Sequence, residues 1–103
     1  MIHRIAKVEV LRHPVLNVSF EDGVSGEFDM TGDIHSKPIF AELKDESFFR
    51  SVAIGRFGDC VGWRLNDIGQ EIDLSADGLR IHVETDIVRR AARDYRAKMQ
   101  AAE

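Results

Sequence analysis

The chain has 103 residues, enough for one compact core and little more. Apolar residues make up 44% and charged residues 31%, a balance that excludes a disordered, collagen-like or membrane-spanning chain. The net charge of −4 argues against a general nucleic-acid binder, and the single cysteine excludes an internal disulfide. No signal-peptide pattern and no apolar run of membrane-spanning length is seen, so a cytoplasmic protein without a membrane partner is expected.

Ile5–Arg12 reads as a strand, with Ala6, Val8 and Val10 alternating with Lys7 and Glu9. His13-Pro14 interrupts it. Val15–Glu21 is a second strand, with Leu16, Val18 and Phe20 on one face. Asp22-Gly23 is a hairpin signal, and Val24–Met30 a third strand. Thr31–Pro38 contains Gly32, Asp33, Ser36 and Pro38 and reads as a loop. Ile39–Leu43 has room for one helical turn, and Asp45 is placed to cap a short helix reaching about Val52. Val52–Phe57 and Cys60–Leu65 read as strands around Gly58-Asp59, with Val61, Trp63 and Leu65 sharing a face. Asn66–Glu71 is polar and turn-rich. Ser75 can cap a short helix over Ala76–Leu79, after which Ile81–Glu84 reads as extended.

The last segment, 85–103, has no Gly or Pro and begins with the capping residue Thr85, followed by Asp86 at the helix N-terminus. Ile87, Val88, Ala91, Ala92, Tyr95, Met99 and Ala102 fall within an arc of about 140°, with Arg89, Arg90, Arg93 and Arg96 on the other side. A helix of this length is long for so small a body, and part of it is expected to project. Residues 1–84 carry 9 Lys and Arg against 15 Asp and Glu, whereas 85–103 carry 5 against 3. The expected architecture is α+β: a small antiparallel sheet of about five strands, short helices and a long C-terminal helix. Residues 1–84 form the compact part. Residues 85–103 form an amphipathic helix, either part of the same domain or an oligomer contact.

The middle of the chain resembles a bacterial family known as domain of unknown function 2442. The resemblance spans about residues 5–84. It rests on Phe20-Glu21-Asp22-Gly23 with Asp29, on Ile39-Phe40, Leu43-Lys44-Asp45, Phe48-Phe49 and Val52, and on Gly62-Trp63 with Ile72-Asp73-Leu74-Ser75-Ala76-Asp77-Gly78-Leu79. Members often carry Trp-Pro-Asn-Gly, whereas here Trp63 leads into the longer Arg64–Glu71 connection. The resemblance implies a small α+β fold and no established reaction. Members are sometimes joined to helix-turn-helix domains and are often encoded beside a second small protein, an arrangement similar to a toxin–antitoxin operon.

No catalytic constellation is readable. His3, His13, His35 and His82 lack metal-ligand spacing, and no phosphate-cradling glycine motif is present, so neither a metal nor a cofactor is expected. Cys60 lacks a neighbouring base and reads as a structural thiol. Asp22, Asp29, Asp45 and Asp73 each have a turn, strand-exit or capping task first. Phe48, Phe49 and Trp63 read as core, with Trp63 the one expected to be partly exposed. The expected function is that of a non-enzymatic protein-interaction module, with the antitoxin-like member of a two-gene pair as its specific form. The alternative is a transcription-regulator accessory or DNA-binding domain. The partner-binding candidates are Arg89, Arg93 and Arg96 for charge and Ile87, Tyr95 and Met99 for packing. The expected partner is a second copy or a small neighbouring-gene protein, with nucleic acid less favoured.

Overall fold

The computed structural model describes residues 3–101. Ala102 and Glu103, the expected end of the last helix, lie outside them. The strands are β1 (Ile5–Arg12), β2 (Val15–Phe20), β3 (Ser25–Asp29), β4 (Ala53–Ile54), β5 (Cys60–Trp63) and β6 (Ile72–Ser75). Between β3 and β4 lie α1 (Thr31–Ser36), a 3-10 helix (Pro38–Lys44) and α2 (Glu46–Phe49), and the chain closes with α3 (Ala76–Ala101). The α+β class stands, but the single sheet of about five strands does not. The strands form two antiparallel three-stranded sheets, β1-β2-β3 and β4-β5-β6.

The reason lies in the middle of the chain. Met30 to Val52 is taken up by helical turns, which carry it away from the β3 edge. The β4–β5 hairpin meets β1 instead, where the Ile5 amide donates to the Gly58 carbonyl at 2.8 Å. The segment expected to be a loop, Thr31–Pro38, is largely helical. The Asp29 carboxylate accepts from the Thr31 amide at 2.9 Å and the Thr31 hydroxyl at 2.6 Å, which turns the chain into α1. Burial of Ile34 then holds the helix in place despite its breaker residues. Asp45 caps α2 by accepting from the Phe48 amide at 3.1 Å, as its sequence position predicts.

One core joins both sheets. Ile5, Leu16, Val18 and Phe20 from the first meet Val61, Trp63 and Ile72 from the second, together with Met30, Ile34, Leu43 and Phe49. Trp63, expected to be partly exposed, is 1% exposed. Its indole Nε1 donates to the Phe49 carbonyl at 2.8 Å, so its one polar atom is satisfied inside the core. β1 departs from strict alternation: the register shifts between Ile5 and Lys7, which buries Ile5 and leaves Ala6 exposed. Asp73 lies within β6, not in a turn.

The largest correction concerns the end of the chain. Ser75 does cap a helix, its hydroxyl accepting from the Gly78 amide at 3.0 Å. That helix does not stop at Leu79, however, and Ile81–Glu84 is helical, not extended. Thr85 is an interior residue of α3 and caps nothing. Leu79 and Val83 find the core at helical spacing, and Gly26 on β3 allows the helix to lie close. A Cβ there would come within 2.8 Å of Val83 Cγ1.

Two substitutions test this packing. Trp63→Phe removes the Nε1 donor and leaves a gap, and should cost about 1–3 kcal/mol in urea unfolding. Gly62→Ala places a Cβ 2.2 Å from the Ile72 carbonyl oxygen and should prevent β5–β6 pairing, read as loss of the cooperative transition.

Candidate functional site

Two regions compete as the working surface. The first is an open cleft of about 450 Å³ against β4 and β5, lined among others by Arg56, Asp59, Cys60, Glu71 and Asp73. The carboxylates offer a polar wall but do not activate the thiol. Burial pushes the Cys60 thiol up, and the charges of Asp59 and Asp73 push it further, so it stays protonated at neutral pH. Among the described residues, no group of three or more His, Cys, Asp and Glu is placed to hold a metal ion. The histidines are spread out and three are engaged with aromatic rings. His13 Nε2 donates to the Leu43 carbonyl at 2.7 Å with its ring edge-on to Phe49. His82 stands edge-on to Phe28 and His3 to Phe20, while His35 is exposed.

The second region is α3. Its 26 residues rise about 39 Å. Only the first part lies on the body, through buried Ala76, Leu79, Arg80 and Val83. Among the described residues, Arg80 is the one charged residue that is buried. Nη1 and Nη2 grip the Asp22 carboxylate at 2.9 and 2.8 Å, Nε donates to Glu84 at 2.7 Å, and the guanidinium stacks 5.1 Å from the centre of the Phe20 ring. The last anchor is Arg90, 3.0 Å from Asp86 and 3.9 Å from Glu27. From Ala91 to Gln100 every residue is exposed. The helix therefore stands off the body as an arm, which gives the molecule a long dimension of 58 Å. The radius of gyration is 15.8 Å, where a compact chain of this size would have about 13 Å.

The partner-binding candidates all lie on α3: Arg93, Tyr95, Arg96 and Met99 on the arm, Ile87 and Arg89 on the anchored stretch before it. Tyr95 is 65% and Met99 53% exposed, on the same side as Val88 at 67% and, nearer the body, Ile81 at 68%. Ile87 sits toward the body and is 48% exposed. Arg89, Arg93 and Arg96 are exposed on the flank. Sequence reasoning missed Ile81, because it read that stretch as extended. At about 100° per residue, the line from Ile81 through Val88 to Tyr95 and Met99 lies about 150° round the helix from Ala76, Leu79 and Val83. The exposed apolar stripe is therefore on the side of α3 facing away from the core, and the arm's own body cannot cover it.

No family model, curated protein or solved structure matches the chain. No helix among the described residues is long and apolar enough to cross a membrane.

The Arg80 fork makes a pH prediction. The hydrogen bonds from Arg80 hold the Asp22 carboxyl below its ordinary value, outweighing desolvation, with the Val24 amide adding to the effect. The folded state thus gives up this proton more readily than the unfolded chain. The resulting stability is present above the unfolded carboxylate value of about 3.9 and is lost as pH falls through the depressed folded value. Asp22→Asn should flatten the acid limb of a melting-temperature profile, and Arg80→Met should return the Asp22 carboxyl carbon titration toward its ordinary position in NMR.

Proposed function

We propose that the protein is a non-enzymatic interaction module, resembling the domain of unknown function 2442 family, whose recognition element is the projecting part of α3. One observation carries this reading: an arm bearing exposed Tyr95 and Met99, in line with exposed Val88 on the outer side of the anchored stretch, extends beyond the body that could have buried them. An isolated polar helix needs no such stripe, and an apolar helix segment left in water needs a partner. The arm's charge indicates the kind of partner. Arg89, Arg90, Arg93, Arg96 and Lys98 stand against Asp86 and Asp94 among the described residues, on a body that is itself acidic. A protein with an acidic surface fits this arm, and the antitoxin-like member of a two-gene pair is the specific form this reading takes.

The same row of cations favours a second reading, an accessory or DNA-binding domain of a transcription regulator, in which the arginines meet phosphates. The acidic body opposes it by repelling the rest of the duplex.

A tagged pull-down from the native host after nuclease treatment separates the two. The wild-type chain should retain a small protein in stoichiometric amount, and Arg89→Glu/Arg93→Glu/Arg96→Glu should lose it while keeping the same thermal unfolding. Retention of nothing by either chain overturns the interaction reading. Duplex binding that falls steeply between 50 and 200 mM salt, about 10³-fold or more, would put the nucleic-acid reading first.

A further inference from the structure

We infer that the outer side of α3 is a seam for a second copy of this chain, with the two helices parallel and in register. This rests on the reading of α3 as the recognition element and names the occupant of its apolar side.

The spacing is the first observation. Ile81, Thr85, Val88, Ala92, Tyr95 and Met99 follow one another at intervals of four, three, four, three and four. That is the 3-4 alternation by which one helix keeps a single stripe facing another over successive heptads. All six residues are exposed. The helix runs without interruption through them, so the stripe is about 27 Å long.

The second observation is where the stripe lies. It is on the far side of the helix from the face that packs on β3 and β6. Two chains joined along it keep their bodies on the outer sides of the pair, where they do not collide. Ile81 brings the stripe down alongside the packed portion of α3, so the seam starts on the most firmly held part of the helix.

The third observation is charge, which selects both the occupant and its direction. In a parallel in-register pair, Glu84 of each helix lies beside Arg89 of the other, giving two complementary contacts, while Ala91 faces Arg96 at no cost. An antiparallel pair that matches the same apolar residues sets Thr85 opposite Tyr95 and Ala92 opposite Val88. It sets Glu84 of each helix beside Lys98 of the other, but it also brings the two Arg89 side chains together at its centre, a repulsion the parallel pair does not have. Glu84 uses Oε1 to hold Arg80, which fixes its carboxylate in place at the flank of the stripe. Thr85 and Ala92 contribute little apolar area, so the pair is a concentration-dependent one, not an obligate dimer.

Sedimentation velocity of the full chain from low to high micromolar should show a monomer–dimer equilibrium. Val88→Asp/Tyr95→Asp should weaken it by about tenfold or more, with an unchanged melting temperature at low concentration. Met99→Glu, further from the body, should weaken it in the same direction. Direction is read by oxidising Thr85→Cys in a Cys60→Ser background. A parallel pair places the two sulfurs in one layer and yields a disulfide-linked dimer, whereas the antiparallel pair holds them about 15 Å apart and yields none. A monomer at every concentration, or a dimer indifferent to Val88, Tyr95 and Met99, overturns the seam. A seam-dependent dimer that fails to cross-link at position 85 overturns its direction. Retention of a host protein is read separately with Arg93→Glu alone, because Arg93 lies off the seam whereas Arg89 and Arg96 flank it.

Discussion

Arg80 holds the molecule's two parts in one geometry. Its guanidinium is pinned on three sides, by the Asp22 carboxylate in the β2–β3 turn, by Glu84 one turn along its own helix, and by the Phe20 ring beneath. A planar fork with two parallel bonds to one carboxylate has little rotational freedom, so it fixes the helix in azimuth as well as position. Rotation of α3 by even one residue would break the grip on Asp22 and turn Leu79 and Val83 out of the core. The direction of the arm, and the side of it left facing outward, follow from that grip.

The arm also has a kinetic advantage over a free peptide. The costly step in making a helix is its first turn, and here that turn is formed against the sheets, with Ser75 as cap and Ala76 and Leu79 buried. Each residue added beyond Arg90 has only to propagate an existing helix. A partner therefore meets an organised surface and does not bear the full entropy of ordering it.

Much of this architecture was legible in the residues, and the failures share a cause. β2 was plain because Leu16, Val18 and Phe20 alternate cleanly, and the Asp22-Gly23 turn and the Asp45 cap because their side chains act locally. The errors came where a distant contact outweighed a local preference. Gly32, Ser36 and Pro38 argue for a loop, yet the Asp29–Thr31 bonds and the burial of Ile34 make α1. Ala76–Leu79 reads as a short helix behind Ser75 and Ile81–Glu84 as extended; packing over Gly26 and the Arg80–Asp22 bond make them one helix. The candidate residues on the arm were found from their helical arc. The full stripe was not, because its first member lies in the misread stretch. Trp63 was misplaced because no local signal shows that the Phe49 carbonyl is waiting for its indole.

The strand edges bear on how copies of this chain meet. β4 is only two residues long, and β1 carries Lys7, Glu9 and Arg12 along a ladder shifted at two places. Neither offers the long, flat, uncharged row of amides on which another strand could continue. Association through backbone ladders, the kind that propagates without limit into fibrils, is disfavoured at these two of the four edges. Leu11, Ile39, Phe57 and Ile68 are exposed elsewhere on the body, but the stripe on α3 sets its apolar residues in one row at helical spacing, a surface that is used up once a single neighbour has covered it. Contact along that row pairs two molecules and closes, where a strand edge would go on adding copies.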